Sequence, residues 1–164
     1  MVLKKSSILF IFFLSFIFIN SLSANSNKLR DELPELKKLT DLTIGTKRIK
    51  KGLKYEAKGK IEKANRMYSE AIDFLLKANK NQNIDSNIFF YLGFAYNKLD
   101  DFEKAKIYYQ LGLVIDPMHP SINKFLGELY INSKKFELAN ERLEVLKNCN
   151  CEEYLDLKRS VTKK

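Results

Sequence analysis

Residues 89–117, FFYLGFAYNKLDDFEKAKIYYQLGLVIDP, set Phe89, Leu92, Gly93 and Tyr96 three or four apart, the spacing of one face of an α-helix. Asp100 follows, with Glu103 three residues on, which predicts an N-cap and capping box at the start of a second helix. Ala105, Tyr109 and Gly112 give that helix its inner face, and Pro117 after Asp116 stops it. The stretch reads as helix, tight turn, helix, turn.

The same pattern returns 34 residues later, where Leu92, Gly93, Tyr96 and Ala105 become Leu126, Gly127, Tyr130 and Ala139. An earlier copy has Gly52, Tyr55, Ala64, Tyr68 and Ala71, with the internal spacings of Gly93, Tyr96, Ala105, Tyr109 and Gly112 but lying 41 residues upstream. The seven extra residues fall between Ala71 and Phe89, which predicts a longer second helix in that copy and a polar, Asn-rich turn after it. Small residues belong at the points where two antiparallel helices cross closely, and tyrosines fill the space around them. A single helix pair cannot bury its apolar face alone, so such pairs stack.

Period and pattern resemble the tetratricopeptide repeat (TPR). The middle copy carries Phe89, Leu92, Gly93, Tyr96, Ala105, Tyr109 and Pro117 at the positions of that motif. The last copy has Leu143 where the motif has an aromatic residue and lacks the final proline; the first has Arg48 and Lys51 at the two leading apolar positions. The resemblance implies an all-α solenoid of three helical hairpins over residues 45–148, divided as 45–85, 86–119 and 120–148, with a capping helix and tail at 149–164. It also implies a protein that binds partners through the concave face lined by the first helix of each hairpin.

Ahead of the repeats, Lys4 and Lys5 precede the apolar run Ile8 to Ile19, and small residues follow at Ser21, Ser23 and Ala24. This is the layout of a secretory signal peptide over residues 1–24, and the run is short for a spanning helix. The expected location is exported, in the periplasm; an uncleaved N-terminal membrane anchor is the alternative. Residues 25–44 form a leader that Pro34 interrupts, so it is expected to be short and loosely attached. The chain carries net charge +9; without Lys4 and Lys5, 27 basic against 20 acidic side chains leave +7. The surplus is mostly lysine scattered among glutamates, which reads as a solvated surface, and no nucleic-acid partner is expected.

The two cysteines, Cys149 and Cys151, flank one asparagine. Read as residues alone they admit a disulfide, free or intermolecularly paired thiols, a redox pair, or part of a metal site. A metal site would have at most the lone His119 as a third ligand, so no metal is expected. Asn150 with Glu153 predicts a capping box at the start of a last helix over 151–162, whose Tyr154 and Leu155 would cover the end of the solenoid. Phe125-Leu126-Gly127-Glu128, Leu143, Leu146 and Cys149 through Lys158 together resemble a group of small exported bacterial TPR proteins. That resemblance covers about residues 45–162 and implies a disulfide staple between the last repeat and its cap, although those relatives carry a longer loop between the cysteines.

With one histidine and no Gly-rich phosphate loop, no catalytic set is in view, and neither an enzyme nor a cofactor is expected. In the middle repeat, Asn87, Phe90, Phe94 and Asn97 form a second stripe beside the core stripe, matched by Ile49, Leu53 and Glu56 in the first repeat and by Lys124, Glu128 and Ile131 in the last. These are the candidate partner-binding residues, suited to an extended or helical peptide; Phe90 and Phe94 packing instead on the long second helix of the first repeat is the competing reading. The face lacks the lysine and asparagine pattern of repeats that clamp C-terminal carboxylates. The leading functional reading is an exported interaction module for a protein or peptide. An envelope-assembly accessory that contacts anionic lipid or cell-wall polymer, and a thiol oxidoreductase using the cysteine pair, are the alternatives.

Overall fold

The computed structural model describes residues 34–80 and 85–163, and all regular structure among them is α-helical. The signal-peptide reading and the start of the leader lie outside the described residues. Seven helices follow in order: α1 Pro34–Glu56, α2 Ile61–Asn79, α3 Ser86–Lys98, α4 Phe102–Ile115, α5 Pro120–Asn132, α6 Phe136–Leu146 and α7 Glu152–Thr162. Pairs α1/α2, α3/α4 and α5/α6 are the three hairpins, and α7 packs against α5 and α6.

The leader reading is corrected. Pro34 does not interrupt a loose segment; it is the first residue of α1, where its missing N–H costs nothing. The helix then runs unbroken to Glu56, and Asp41, Gly45, Ile49 and Gly52 make its buried face. Gly45 and Gly52 are contact points on α2: a methyl group on them would fall 2.8 Å from Leu75 and 2.5 Å from Tyr68. Arg48, at a position where the middle repeat has an aromatic residue, ion-pairs with Glu70 of α2 at 3.2 Å. The second helix of this repeat has 19 residues against 14 in α4 and 11 in α6, which takes up much of its longer period.

The glycine–tyrosine contact recurs in the middle repeat, where a methyl on Gly93 would lie 2.5 Å from the ring of Tyr109. Ala64, Ala105 and Ala139 are all buried at the corresponding points of the second helices. In the last repeat the pattern changes. Gly127 is covered by Leu157 of α7, 2.7 Å from where its Cβ would be, and not by Leu143, the residue at the tyrosine position. Leu157 is fully buried and Leu143 only partly so.

Each hairpin turns through a left-handed residue seven positions after the repeat glycine: Gly59, Asp100 and Lys134, with φ of 67°, 60° and 57°. The next residue's N–H bonds back to the tyrosine carbonyl of the first helix, Lys60 to Tyr55 at 2.9 Å, Asp101 to Tyr96 at 3.0 Å and Lys135 to Tyr130 at 2.8 Å. This is a Schellman-type stop. It corrects the capping box expected at Asp100: Asp100 ends α3, and Asp101 is the N-cap of α4, its carboxylate accepting from the Lys104 N–H at 3.2 Å. Glu103 pairs forward with Lys106 instead.

The cap is corrected in the same way. Cys149 and Cys151 are joined by a disulfide, with Cα atoms 5.2 Å apart. Asn150 between them is left-handed, with φ of 49°, and Cys151, not Asn150, is the N-cap of α7. Glu153 accepts from the Ser121 hydroxyl of α5 at 3.0 Å rather than closing a capping box. Leu155 is exposed, and the residue that seals the end is Leu157, with Tyr154 and Val161 partly buried beside it. The joint between the last two repeats is polar but satisfied. The buried Asn123 amide donates to the Pro117 and His119 carbonyls at 3.0 Å each and accepts from Arg142 of α6 at 3.3 Å.

Candidate binding cleft

The turns at the ends of α1 and α3 bring one cleft together, about 450 Å³ in volume. The end of α1 supplies Glu56; α2 supplies Ile61, Ala64, Asn65 and Tyr68. The end of α3 and its turn supply Asn97, Lys98 and Asp100; α5 supplies Phe125 and Glu128. Glu56 and Asn97 occupy the same place, four residues after the repeat glycine, and both line the cleft; Ile131, their counterpart in the last repeat, does not.

Electrostatics fix the inner corner. Glu56 accepts from Lys98 Nζ at 2.9 Å on Oε1 and from the Tyr68 hydroxyl at 2.5 Å on Oε2. The Lys98 bond foremost, then the Tyr68 bond, holds the Glu56 carboxyl below the usual carboxylate range. Burial, then the bond to Glu56, pushes the Tyr68 phenol up. This triad ties the ends of α1 and α3 to the body of α2, where Tyr68 lies two turns in. Tyr109, the equivalent of Tyr68, is fully buried, and its hydroxyl has no hydrogen-bond partner among the described residues. Burial first, and the Glu128 charge second, push its phenol up as well.

The seven stripe residues of the last two repeats separate into four groups. Asn97 and Glu128 line the cleft. Phe94 is buried, and Phe90 is half-buried beside it. Their rings meet Phe125 of α5 at 5.3 Å and 5.7 Å, but of the three only Phe125 lines the cleft. The groove reading of the pair is corrected: Phe94 belongs to the core that includes Ile72 and Leu75 of α2, and Phe90 packs against it. Lys124 lies over the Phe125 ring at 4.1 Å and pairs with Glu128 at 3.3 Å and Asp156 of α7 at 3.9 Å. Asn87 and Ile131 fall away from the cleft. Asn87 closes the turn before α3 by bonding Asp85 at 3.1 Å, with His119 Nε2 3.4 Å from its oxygen, and Ile131 is buried in the core.

Glu56, the first-repeat counterpart of Asn97, also lines the cleft. Ile61, Asn65, Lys98 and Asp100 complete it without having been singled out as its chemistry, although Lys98 directly follows Asn97. Ile61 and Asn65 come from a second helix, which the stripe argument did not consider. No group of His, Cys, Asp and Glu side chains among the described residues is arranged to hold a metal ion. No described helix is long and apolar enough to cross a membrane.

No protein-family model matches the chain, and no curated protein does. Solved structures do match. The first TPR domain of Spaghetti (RPAP3), bound to the HSP90 peptide SRMEEVD, aligns with a TM-score of 0.54 at 22% identity over 74% of this chain and 93% of that one. The second TPR domain of human RPAP3, in complex with the HSP70 peptide SGPTIEEVD, gives 0.56 at 16% identity over 77% and 99%. The Sgt2 TPR domain from Aspergillus fumigatus gives 0.53 at 21% identity over 73% and 75%. At such identities the likeness is one of fold, and it agrees with the glycine–aromatic contacts and the 34-residue period: the chain folds as an all-α TPR helical solenoid.

Proposed function

We propose that this chain is an exported interaction module, acting in the periplasm of a bacterium, that binds a protein or peptide through the concave face of its repeats. The observation that carries this reading is the cleft itself. It draws side chains from all three hairpins and combines an exposed Ile61 and half-buried Phe125 with the amides of Asn65 and Asn97. Amides at such a place can bond a peptide backbone, and apolar walls can take its side chains. The solved structures of like fold with peptides bound support a protein-binding role in general terms. Export rests on the N-terminal sequence pattern: a basic pair, an apolar run and small residues before Asn25.

Two measurements test the proposal. Tagged protein with Asn65 and Asn97 both changed to alanine is compared with the parent in pull-downs from envelope extracts. The expected result is one protein recovered in a fixed ratio by the parent and lost with the variant. Adsorption to anionic vesicles or wall polymer that salt abolishes, with no protein recovered, would replace this reading with the envelope-accessory one. N-terminal sequencing of the exported protein is expected to start close after Ala24; a mature chain that retains Met1 would remove the signal-peptide part.

A further inference from the structure

We infer that the cleft recognises a cationic segment: a lysine or arginine of the partner, flanked by an apolar residue. This rests on the peptide-binding reading above and adds the partner's chemistry. The charged groups that line the cleft are Glu56, Asp100 and Glu128 against Lys98 alone, a local reversal of sign in a chain of net charge +9. A cleft with one sign of charge concentrates ligands of the other.

The lysine that lines the cleft, Lys98, and the one paired with its wall, Lys124, are committed. Lys98 is 2.9 Å from Glu56 and stands 5.7 Å over the Phe94 ring. Lys124 is shared between Glu128 and Asp156 and covers Phe125. Inside the cleft an anionic peptide would have to break these pairs to find a cation, whereas a cation finds carboxylates with capacity left. Asp100 is exposed and makes no ion pair among the described residues. Among the described residues Glu128 pairs only with Lys124, at 3.3 Å. Glu56, with both oxygens already accepting, contributes charge to the field more than a bonding site. Ile61 on the rim can cover the methylene stem of a lysine or arginine, or the apolar neighbour. The peptides SRMEEVD and SGPTIEEVD held by proteins of like fold are acidic, so shared fold and opposite ligand charge coexist here.

The test uses an array of acetylated, amidated decapeptides that set arginine, lysine, aspartate and glutamate beside leucine and phenylalanine, with dissociation constants measured for the strongest spots. Cationic–apolar peptides are expected to bind about tenfold more tightly than their acidic counterparts and to weaken as salt is added. Asp100→Asn with Glu128→Gln is expected to cost about tenfold in affinity for the cationic peptides. Asparagine tolerates the left-handed backbone at position 100, and glutamine keeps the shape at 128, so circular dichroism should not change. Glu144→Gln, on the exposed face of α6, should leave binding as it was. Selection of acidic peptides, or a double variant that binds cationic peptides as tightly as the parent, would overturn the charge inference and leave the binding cleft standing. Binding of neither class would overturn both.

Discussion

The middle repeat seals its own glycine; the last repeat borrows a residue to do so. Tyr109 lies on Gly93 from within the same hairpin, whereas Gly127 is covered by Leu157, fourteen residues beyond the partly buried Leu143 and in the terminal helix's second turn. A hairpin with an aromatic residue at that position closes by itself. With a leucine there, which reaches less far, the gap over the glycine is filled from outside. Helix α7 is therefore part of the packing of the last repeat as well as its solvent screen. Because α5 also carries Phe125 and Glu128, the cap sets the third wall of the cleft: Glu153 bonds Ser121, and Asp156 approaches Lys124.

The comparison is broken most severely at its best-packed point. Tyr109→Ala should cost about 3–5 kcal/mol, as expected for emptying a buried aromatic site, and this is measured from the urea unfolding midpoint. The loss of its partnerless hydroxyl should offset a little of that. Next comes Leu157→Ala, expected to cost about 2–4 kcal/mol, against less than about 2 kcal/mol for Leu143→Ala. Equal losses at 157 and 143 would mean that the last repeat closes itself after all.

These assignments were legible in the sequence to different depths. The solenoid was readable because small residues at helix crossings have few substitutes: Gly52, Gly93 and Gly127, with Ala64, Ala105 and Ala139, keep one register. The turns were read one residue out, because Asp100 and Asp101 are both able caps and only the backbone decides which of them is left-handed. Pro34 was ambiguous for a similar reason, since proline stops a helix in its interior and starts one at its first position. Leu157 was not readable, because a rule about period says nothing of a residue that joins the repeat from outside it. The stripe of first-helix positions held Glu56, Asn97 and Glu128 but not Ile61 or Asn65, since a cleft built at helix ends draws on both helices of a hairpin.

Smaller effects sharpen the comparison at the turns and in the cleft. Lys134→Gly should stabilise the protein by about 0.5–1 kcal/mol by relieving a left-handed non-glycine residue, while Gly59→Ala should destabilise it. Glu56 gives a pH signature. Its folded carboxyl is held below its ordinary value by Lys98 and Tyr68, so the unfolded chain binds the proton first on acidification. The Glu56 contribution is present above the ordinary glutamate range and is lost as pH falls through the lowered folded value. Urea midpoints measured from neutral pH to below about pH 4 should fall less steeply in Glu56→Gln than in the parent. The smallest effect is expected from reducing the Cys149–Cys151 bond with a dithiol, because a ring that short constrains the unfolded chain little. Faster amide exchange confined to residues 149–162 would be its trace.

The most direct test of the account is amide hydrogen exchange on a chain ended at Asn148, which removes the disulfide and α7 together. The account predicts that α5 and α6 lose protection while α3 and α4 keep theirs, and that the cleft loses affinity for its peptide although all its lining residues remain. Full protection of α5 and α6 in the shortened chain would contradict it, since the last repeat would then stand without Leu157.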